Sequence, residues 1–241
     1  MRVLYAVTGI AFLFGLVAGA GAQTGNGTPP ATSAVLPKDI DPQSLSRLPI
    51  VKRDDLDEDG KRIYDMLAGG EGKTVTPTGP AAISLQSPKV AEAIQMLNQY
   101  LRFHGVLKAR DYEVAILVAA REFDQQYEWS GHEMGARTAK VPESVIDAIK
   151  FNKDATGFSD KDTLLITFTR QLLHQHKLDS DQYAKSVAVF GKQGTLELAT
   201  IIGDYAMAAI MLNATDQHLP AGRPQTPKSS EYVPVPMSET T

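Results

Sequence analysis

Apolar residues recur at helical spacing along most of the chain, from about residue 54 to residue 212. In the segment 108–123, for example, Val114, Leu117 and Val118 fall on one helical face. Alternating apolar and polar runs, which are typical of strands, are scarce. The pattern predicts an all-α fold, a compact domain of about seven or eight helices built on antiparallel helical hairpins.

Capping residues, glycines and prolines divide this pattern into separate helices. Ser87-Pro88, for example, is a typical helix start with proline at the first helical position. Arg110-Asp111 and Lys161-Asp162 begin two similar amphipathic helices, which indicates duplicated hairpins. The predicted helices cover residues 55–67, 88–103, 108–123, 123–140, 143–151, 160–175, 180–190 and 196–212.

Both ends of the chain depart from the helical pattern. Residues 1–22 carry one positive charge, an apolar run and a small-residue cleavage motif, and are interpreted as a signal peptide. A membrane anchor is the alternative, but the apolar run falls short of the roughly 20 residues that a spanning helix needs. Residues 23–50 are predicted to be a flexible leader, 51–221 the helical domain and 222–241 a disordered tail. The mature protein is expected to be exported, periplasmic or secreted, without a stable membrane span.

Composition narrows the possible functions. The 241 residues include 24 basic and 28 acidic side chains, a net charge of −4, and the predicted signal peptide removes one further positive charge. This balance argues against a nucleic-acid partner, which needs a basic surface. The chain has no cysteine, so disulfides and thiol chemistry are excluded.

Three proton-handling residues stand at informative spacings. Glu128 and His132 are four positions apart, so they share one face of the predicted helix. Glu113 lies on the preceding helix, and antiparallel pairing of the two helices brings it toward His132. A surface ion pair between Glu128 and His132 is the structural alternative. The chemistry that such a cluster favours is general acid–base catalysis.

The sequences that surround these residues are distinctive: RDYEVAILVAA from Arg110, YEWSGH from Tyr127 and VPESVI from Val141. Together they resemble the carboxymuconolactone decarboxylase family, which includes the alkylhydroperoxidase D-like proteins. The resemblance extends over residues 56–219 and includes Tyr205 and Asn213 in the last helix. One departure is Lys140, where relatives usually place a glycine that ends the helix.

The resemblance implies an all-helical fold that assembles into homotrimers or hexamers, with active sites in helical clefts. The peroxidase branch of the family has a Cys-x-x-Cys pair, but Gln125 and Glu128 occupy those positions in this chain. Its distal glutamate and its histidine match Glu113 and His132. A carboxylate followed by an aromatic residue, Glu128-Trp129, resembles the decarboxylase branch instead.

The roles of the site residues follow from the decarboxylation of a lactone acid. This reaction leaves electron density on a carbon atom, and that carbon must then be protonated. His132 is the expected proton donor, because the ordinary pKa of histidine is near neutrality. Glu128 or Glu113 would orient it. Either Arg121 or Arg137 is expected to bind a substrate carboxylate. Trp129 is the candidate for a wall of the cleft; no cofactor and no metal are expected.

Two functions of different classes stay open at this point. The first is an exported, cofactor-independent enzyme that acts on a small carboxylated or lactone compound by Glu/His acid–base chemistry. The second is a non-catalytic helical oligomer that binds a small ligand or a partner protein. A peroxidase activity is suggested only by the family name, and the missing thiols oppose it. The two main hypotheses differ in whether the three side chains converge in a cleft.

Overall fold

The regular elements of the protein are helices. The computed structural model describes residues 36–70 and 75–227, and the all-α prediction is confirmed within them. A 3-10 turn, Arg53–Asp55, precedes the first α-helix. In these ranges eight α-helices follow one another: α1 Glu58–Leu67, α2 Pro80–Ser84, α3 Pro88–Phe103, α4 Ala109–Glu122, α5 Gln126–Thr138, α6 Glu143–Lys150, α7 Asp160–Gln175 and α8 Ser180–Ala214.

Helix α4 is the central helix of the fold. Every residue from Asp111 to Arg121 is buried, and α4 contacts α5, α6, α7 and α8. The sequence predicts one apolar face, but Ala115 and Ala119 are small enough for neighbouring helices to pack on the other sides as well. A polar side chain on α4, such as that of Glu113, therefore needs a partner inside the protein.

The similar starts of α4 and α7 have a structural counterpart. The guanidinium of Arg110 lies 2.7 Å from the carboxylate of Asp162, and the ammonium of Lys161 lies 2.6 Å from that of Asp111. The basic residue at the start of each helix thus pairs with the acidic residue at the start of the other helix. The helices run parallel, because Glu122 near the end of α4 also contacts residues near the end of α7.

The helices differ from the predicted ones in two places and agree with the prediction in a third. Asp57, rather than Asp54 or Asp55, caps α1, and its side chain accepts a hydrogen bond of 2.7 Å from the backbone N–H of Gly60. The short helix α2 was not predicted, since five residues are too few to show a period. The predicted break before the last helix is confirmed: α8 is continuous in hydrogen bonding, but Gly191 has φ 71° and ψ 174°.

Helix α8 is, in the described ranges, the one helix long and apolar enough to cross a membrane. Half of the most apolar 18-residue stretch of α8 is buried inside the fold. The non-helical backbone of Gly191 interrupts the helix. Leu198, Ile201 and Ile202 pack into the main core. The apolar character of α8 is therefore accounted for by packing within the domain.

Chain segments on both sides of the predicted domain contact it. The N–H of Arg47 donates to the carbonyl of Thr215 at 2.8 Å, and the N–H of His218 donates to the carbonyl of Leu45 at 2.7 Å. Residues 36–50 of the predicted leader are thereby joined to the end of α8. The predicted signal peptide and most of the predicted tail lie outside the described residues.

Glu197 on α8 fixes the turn between α3 and α4. Its carboxylate accepts hydrogen bonds from the N–H of Val106 (2.7 Å), the hydroxyl of Tyr100 (3.0 Å) and the amide of Gln193 (2.8 Å). Because hydrogen bonds to a charged group are strong, we expect Glu197→Ala to lower the free energy of unfolding by about 2–3 kcal/mol in denaturant melts.

Asp181→Ala is the matched control on the same helix, since the Asp181 side chain is 73% exposed and pairs with Lys185. We expect that exposed pair to contribute no more than about 0.5 kcal/mol. Equal losses of stability in the two variants would contradict the role given to Glu197.

Candidate active site

The hairpin of α4 and α5 brings Glu113 and His132 together. Nδ1 of His132 lies 2.7 Å from Oε2 of Glu113, although nineteen positions separate the two residues in the chain. The hairpin turn is held by Gln125, whose side chain accepts from the N–H of Tyr127 at 2.8 Å and donates to Asn213 at 2.6 Å. The end of α8 thus fixes the start of α5, and with it the position of the histidine.

Glu128 approaches the other side of the same imidazole. Its Oε2 lies 3.5 Å from Nε2 of His132, and its Oε1 is buried without a hydrogen-bond partner in the described ranges. Only 5% of the Glu128 side chain and 14% of the His132 side chain are exposed. A surface ion pair is therefore not what the structure shows: the three predicted residues converge inside the protein.

Gly135, one turn beyond His132, makes the contact with Glu113 possible. A Cβ atom at this position would lie 2.9 Å from the carboxyl carbon and from both carboxylate oxygens of Glu113. Any other residue would push that carboxylate away. Sequence reasoning did not identify Gly135, although a glycine inside a helix is a recognisable signal of close approach.

Arg102 on α3 is a cation close to Glu113. Its Nη2 lies 3.6 Å from Oε1 of Glu113, and its guanidinium lies 5.6 Å from the ring centroid of Tyr112. Its Nε is buried without a hydrogen-bond partner within the described residues. Arg102 was missed because it lies near a helix end, where a basic residue is expected for helix stability alone.

Helix α8 contributes two further polar residues near His132, Tyr205 and Asp204. The Tyr205 ring meets the His132 ring edge-on, with centroids 4.8 Å apart and an interplanar angle of 87°. Burial raises the pKa of Tyr205, so its phenol stays neutral. Next to it, Asp204 accepts a hydrogen bond of 2.9 Å from Asn98 of α3.

A cavity of about 330 Å³, large enough for a small organic molecule, is lined by Arg102, Glu128 and His132, whereas Glu113 does not line it. Tyr127 and Arg223 contribute to its wall as well, and the Arg223 guanidinium lies 4.9 Å from the Tyr127 ring centroid. Gly79, with φ 59°, passes so close that a Cβ atom there would lie 2.2 Å from that ring. The polar and charged residues of the wall are Thr78, Ser84, Gln95, Asn98, Arg102, Tyr127, Glu128, His132, Asp204, Tyr205 and Arg223.

The predicted site residues Arg121, Arg137 and Trp129 do not line this cavity either. Arg121 donates to the carbonyl of Lys150 at 3.0 Å and pairs with Asp124. Arg137 pairs with Glu133 and Glu143 on the far side of α5. Trp129 is 1% exposed and belongs to the main core. The structure brings Glu113, Glu128 and His132 together and keeps these three residues apart from them.

Burial sets the protonation behaviour of Glu128. It raises the pKa of this carboxyl, while the neighbouring His132 opposes the rise. A raised native pKa means that the folded protein binds more protons than the unfolded chain above about pH 4.5, the ordinary value. The contribution of Glu128 to stability is thus fully present below that pH and is lost as the pH rises through the native pKa.

We therefore expect Glu128→Gln, which cannot ionise, to gain stability relative to the wild type as the pH rises toward neutrality. Thermal melts of both proteins at a series of pH values measure this difference. Glu58→Gln is the control, because the Glu58 side chain is 92% exposed. A difference between Glu128→Gln and wild type that stays constant with pH would contradict burial of an ionisable carboxyl at this site.

Comparison with known proteins identifies the fold but does not identify a reaction. No protein-family model matches the chain, and no curated protein matches it by sequence. One similar solved structure comes from Ralstonia eutropha JMP134 and is described as an alkylhydroperoxidase AhpD core, an uncharacterized peroxidase-related protein. The TM-score is 0.58 and the sequence identity is 14%, and the match covers 73% of this chain and 93% of that one. An uncharacterized peroxidase-related protein from Silicibacter sp. TM1040 is similar with a TM-score of 0.59 and 12% identity, covering 77% and 96%. The chain has an AhpD-like helical fold.

Proposed function

We propose that the protein is an enzyme that moves a proton on or off a carbon atom of a small carboxylated or lactone-like compound. The observation that carries this proposal is the position of His132 between Glu113 and Glu128 at the wall of a cavity. Buried ionisable groups of opposite type, in contact and beside a cavity, are typical of acid–base sites.

The hydrogen bonds suggest how the proton is handled. A carboxylate at Glu113 accepts from Nδ1–H of His132, which orients the ring and leaves Nε2 on the side of Glu128. One proton shared between Nε2 and the Glu128 carboxyl is then available beside the cavity. Loss of carbon dioxide from a bound carboxylate that lies beta to a carbonyl group leaves the electron pair of the broken bond on the substrate as an enolate. The shared proton is transferred to that carbon and is replaced from water.

Arg102 takes the binding role that the sequence assigned to Arg121 or Arg137. It lines the cavity and its Nε is unpaired within the described ranges, whereas the other two arginines are engaged elsewhere. A guanidinium binds a carboxylate through two parallel hydrogen bonds. We propose that Arg102 holds a carboxylate or carbonyl oxygen of the substrate.

A thiol peroxidase mechanism is not carried over from the similar structures. The chain has no cysteine, and the buried Gln125 caps α5 and binds Asn213. Glu128 faces His132 where the resemblance places the second thiol. The same fold therefore holds a carboxyl–imidazole pair at this point.

Export and assembly belong to the same proposal. The apolar run within residues 1–22 favours export, and cleavage leaves the helical domain free of the membrane. Exposed apolar side chains on α3 and α8, among them Met96, Phe103 and Leu196, favour a homo-oligomer such as the trimer or hexamer that the family resemblance implies.

The test is a two-part activity screen of the purified protein. One part contains lactone acids, 2-keto acids and 3-keto acids; the other contains hydrogen peroxide and tert-butyl hydroperoxide with a dithiol reductant. We expect turnover in the first part and none above background in the second. Hydroperoxide reduction without any carbon-acid turnover would contradict the proposal.

A further inference from the structure

Asp204 is a buried carboxyl of the cavity wall that the proposed proton transfer does not use. It is 5% exposed, and its Oδ2 accepts from Asn98 at 2.9 Å. Its Oδ1 is buried and has no hydrogen-bond partner within the described ranges. An unsatisfied buried acceptor is costly, and native proteins keep few of them without a reason.

A purely structural role does not explain this arrangement. Arg102 forms its ion pair with Glu113 and not with Asp204. Burial raises the pKa of the Asp204 carboxyl against the hydrogen bond from Asn98. Both residues line the cavity. A bound molecule with a hydrogen-bond donor would satisfy the unpaired oxygen.

Arg102 is the second half of the same wall. It reaches the cavity from α3, as Asn98 does, and the two helices α3 and α8 pack against each other. Its unpaired Nε is a donor without an acceptor within the described residues. The α3–α8 wall therefore offers one cationic donor group and one carboxyl acceptor group, while α5 contributes the proton-transfer pair.

We propose that the substrate is a small carboxylic acid that carries a hydroxyl group. The hydroxyl donates to Asp204 and accepts from the Asn98 amide, while Arg102 binds the carboxylate. This inference rests on the proposed function for the reaction, but the binding position is defined by the α3–α8 wall alone.

A hydroxyl fits the position better than an amino group does. A protonated amine beside Asp204 would also lie close to the Arg102 guanidinium, whose charge acts on Asp204. Like charges at short range disfavour that arrangement, whereas a hydroxyl donates to a carboxylate without a charge of its own. Asp204 and Asn98 thus select for a hydroxylated substrate.

Binding of matched acids tests the inference without any need for turnover. L- and D-malate are compared with succinate, and 3-hydroxybutyrate with butyrate, by isothermal titration calorimetry on the wild-type protein. We expect at least one hydroxy acid to bind at least about 10-fold more tightly than its deoxy partner, which is the scale of one satisfied buried hydrogen bond. Equal affinities, no binding of any of these acids, or tighter binding of aspartate than of malate would overturn the inference.

Variants then assign the preference to Asp204. In Asp204→Ala we expect the hydroxy and deoxy acids to bind within about 3-fold of each other, because the acceptor is gone. Asp204→Leu, which is close in shape and has no hydrogen-bond acceptor, covers the case in which the alanine variant does not fold. Arg102→Ala should weaken both members of a pair alike, and the exposed control Asp181→Asn should change neither. A preference that survives in both Asp204 variants overturns the assignment.

Failure of this inference and failure of the proposed function are distinguishable. His132→Ala should keep the preference for the hydroxy acid, since His132 is not part of the α3–α8 wall. A lost preference in Asp204→Ala together with unimpaired turnover in His132→Ala would reject the acid–base proposal and keep the binding position. A preference that persists in Asp204→Ala, together with lost turnover in His132→Ala, would reject the binding position and keep the acid–base proposal.

Discussion

Replacing His132 with alanine is expected to lower turnover of any accepted substrate by at least about 100-fold, the usual scale for loss of a general acid or base. The reason is geometric. His132 lies 2.7 Å from Glu113 and 3.5 Å from Glu128, so its removal leaves both carboxyls without this partner and removes the proton carrier. Initial rates at saturating substrate measure the effect.

His104→Ala is the matched control, because His104 is an exposed residue at the end of α3. It should leave turnover within about 2-fold of wild type, as exposed substitutions away from a site usually do. Circular dichroism and thermal melts establish that both variants are folded. Turnover that survives in His132→Ala would reject His132 as the proton donor.

Gly135→Ala is the second large effect that we expect, a fall of about 100-fold in turnover with the helical fold retained. Alanine is favoured over glycine in a helix interior, so α5 itself should not lose stability. The added methyl group would stand 2.9 Å from the Glu113 carboxyl and must displace it from His132. A displacement of about 1 Å in a supporting group is enough for an effect of this size.

Gly203→Ala provides the comparison, since nothing lies within 4 Å of a Cβ atom at that helical position. We expect it to leave turnover unchanged. If Gly135→Ala keeps wild-type turnover while a crystal structure shows Glu113 displaced, then the Glu113–His132 contact is not needed for the reaction.

The part of the site predicted from the sequence is the part that depends on local spacing. Glu128 and His132 share a face because they are four residues apart on one helix, and the short turn after α4 makes α5 return beside Glu113. The helices themselves follow from apolar periodicity and caps such as Ser159, whose side chain accepts from the N–H of Asp162. The spacing, the turn and the caps involve residues that are close in the chain, so they can be predicted from the sequence.

The α3–α8 wall was not predicted, because it depends on contacts between distant segments. Asn98 and Asp204 are 106 positions apart, and neither stands in a pattern that differs from that of an ordinary surface polar residue. Arg121 illustrates the opposite error. It lies on the same helix as Glu113, yet helical phase turns it toward the carbonyl of Lys150 and away from the cavity.

The fold and the chemistry of this protein must be considered separately. An AhpD-like fold is shared with peroxidase-related proteins at 12% and 14% identity, and such a fold supports more than one reaction. The chemistry depends on the residues that the fold presents. Here the imidazole of His132 lies between the carboxyl groups of Glu113 and Glu128, next to a cavity that Arg102 also lines.

Exchange of solvent hydrogen into the substrate carbon tests the central claim most directly. Lactone acids, keto acids and hydroxy acids are incubated with the protein in D₂O, and deuterium at carbon is measured by NMR and mass spectrometry. The account predicts incorporation with the wild type and with His104→Ala, and incorporation slower by about 100-fold with His132→Ala. Turnover without deuterium at carbon, or equal incorporation in all three proteins, would contradict it.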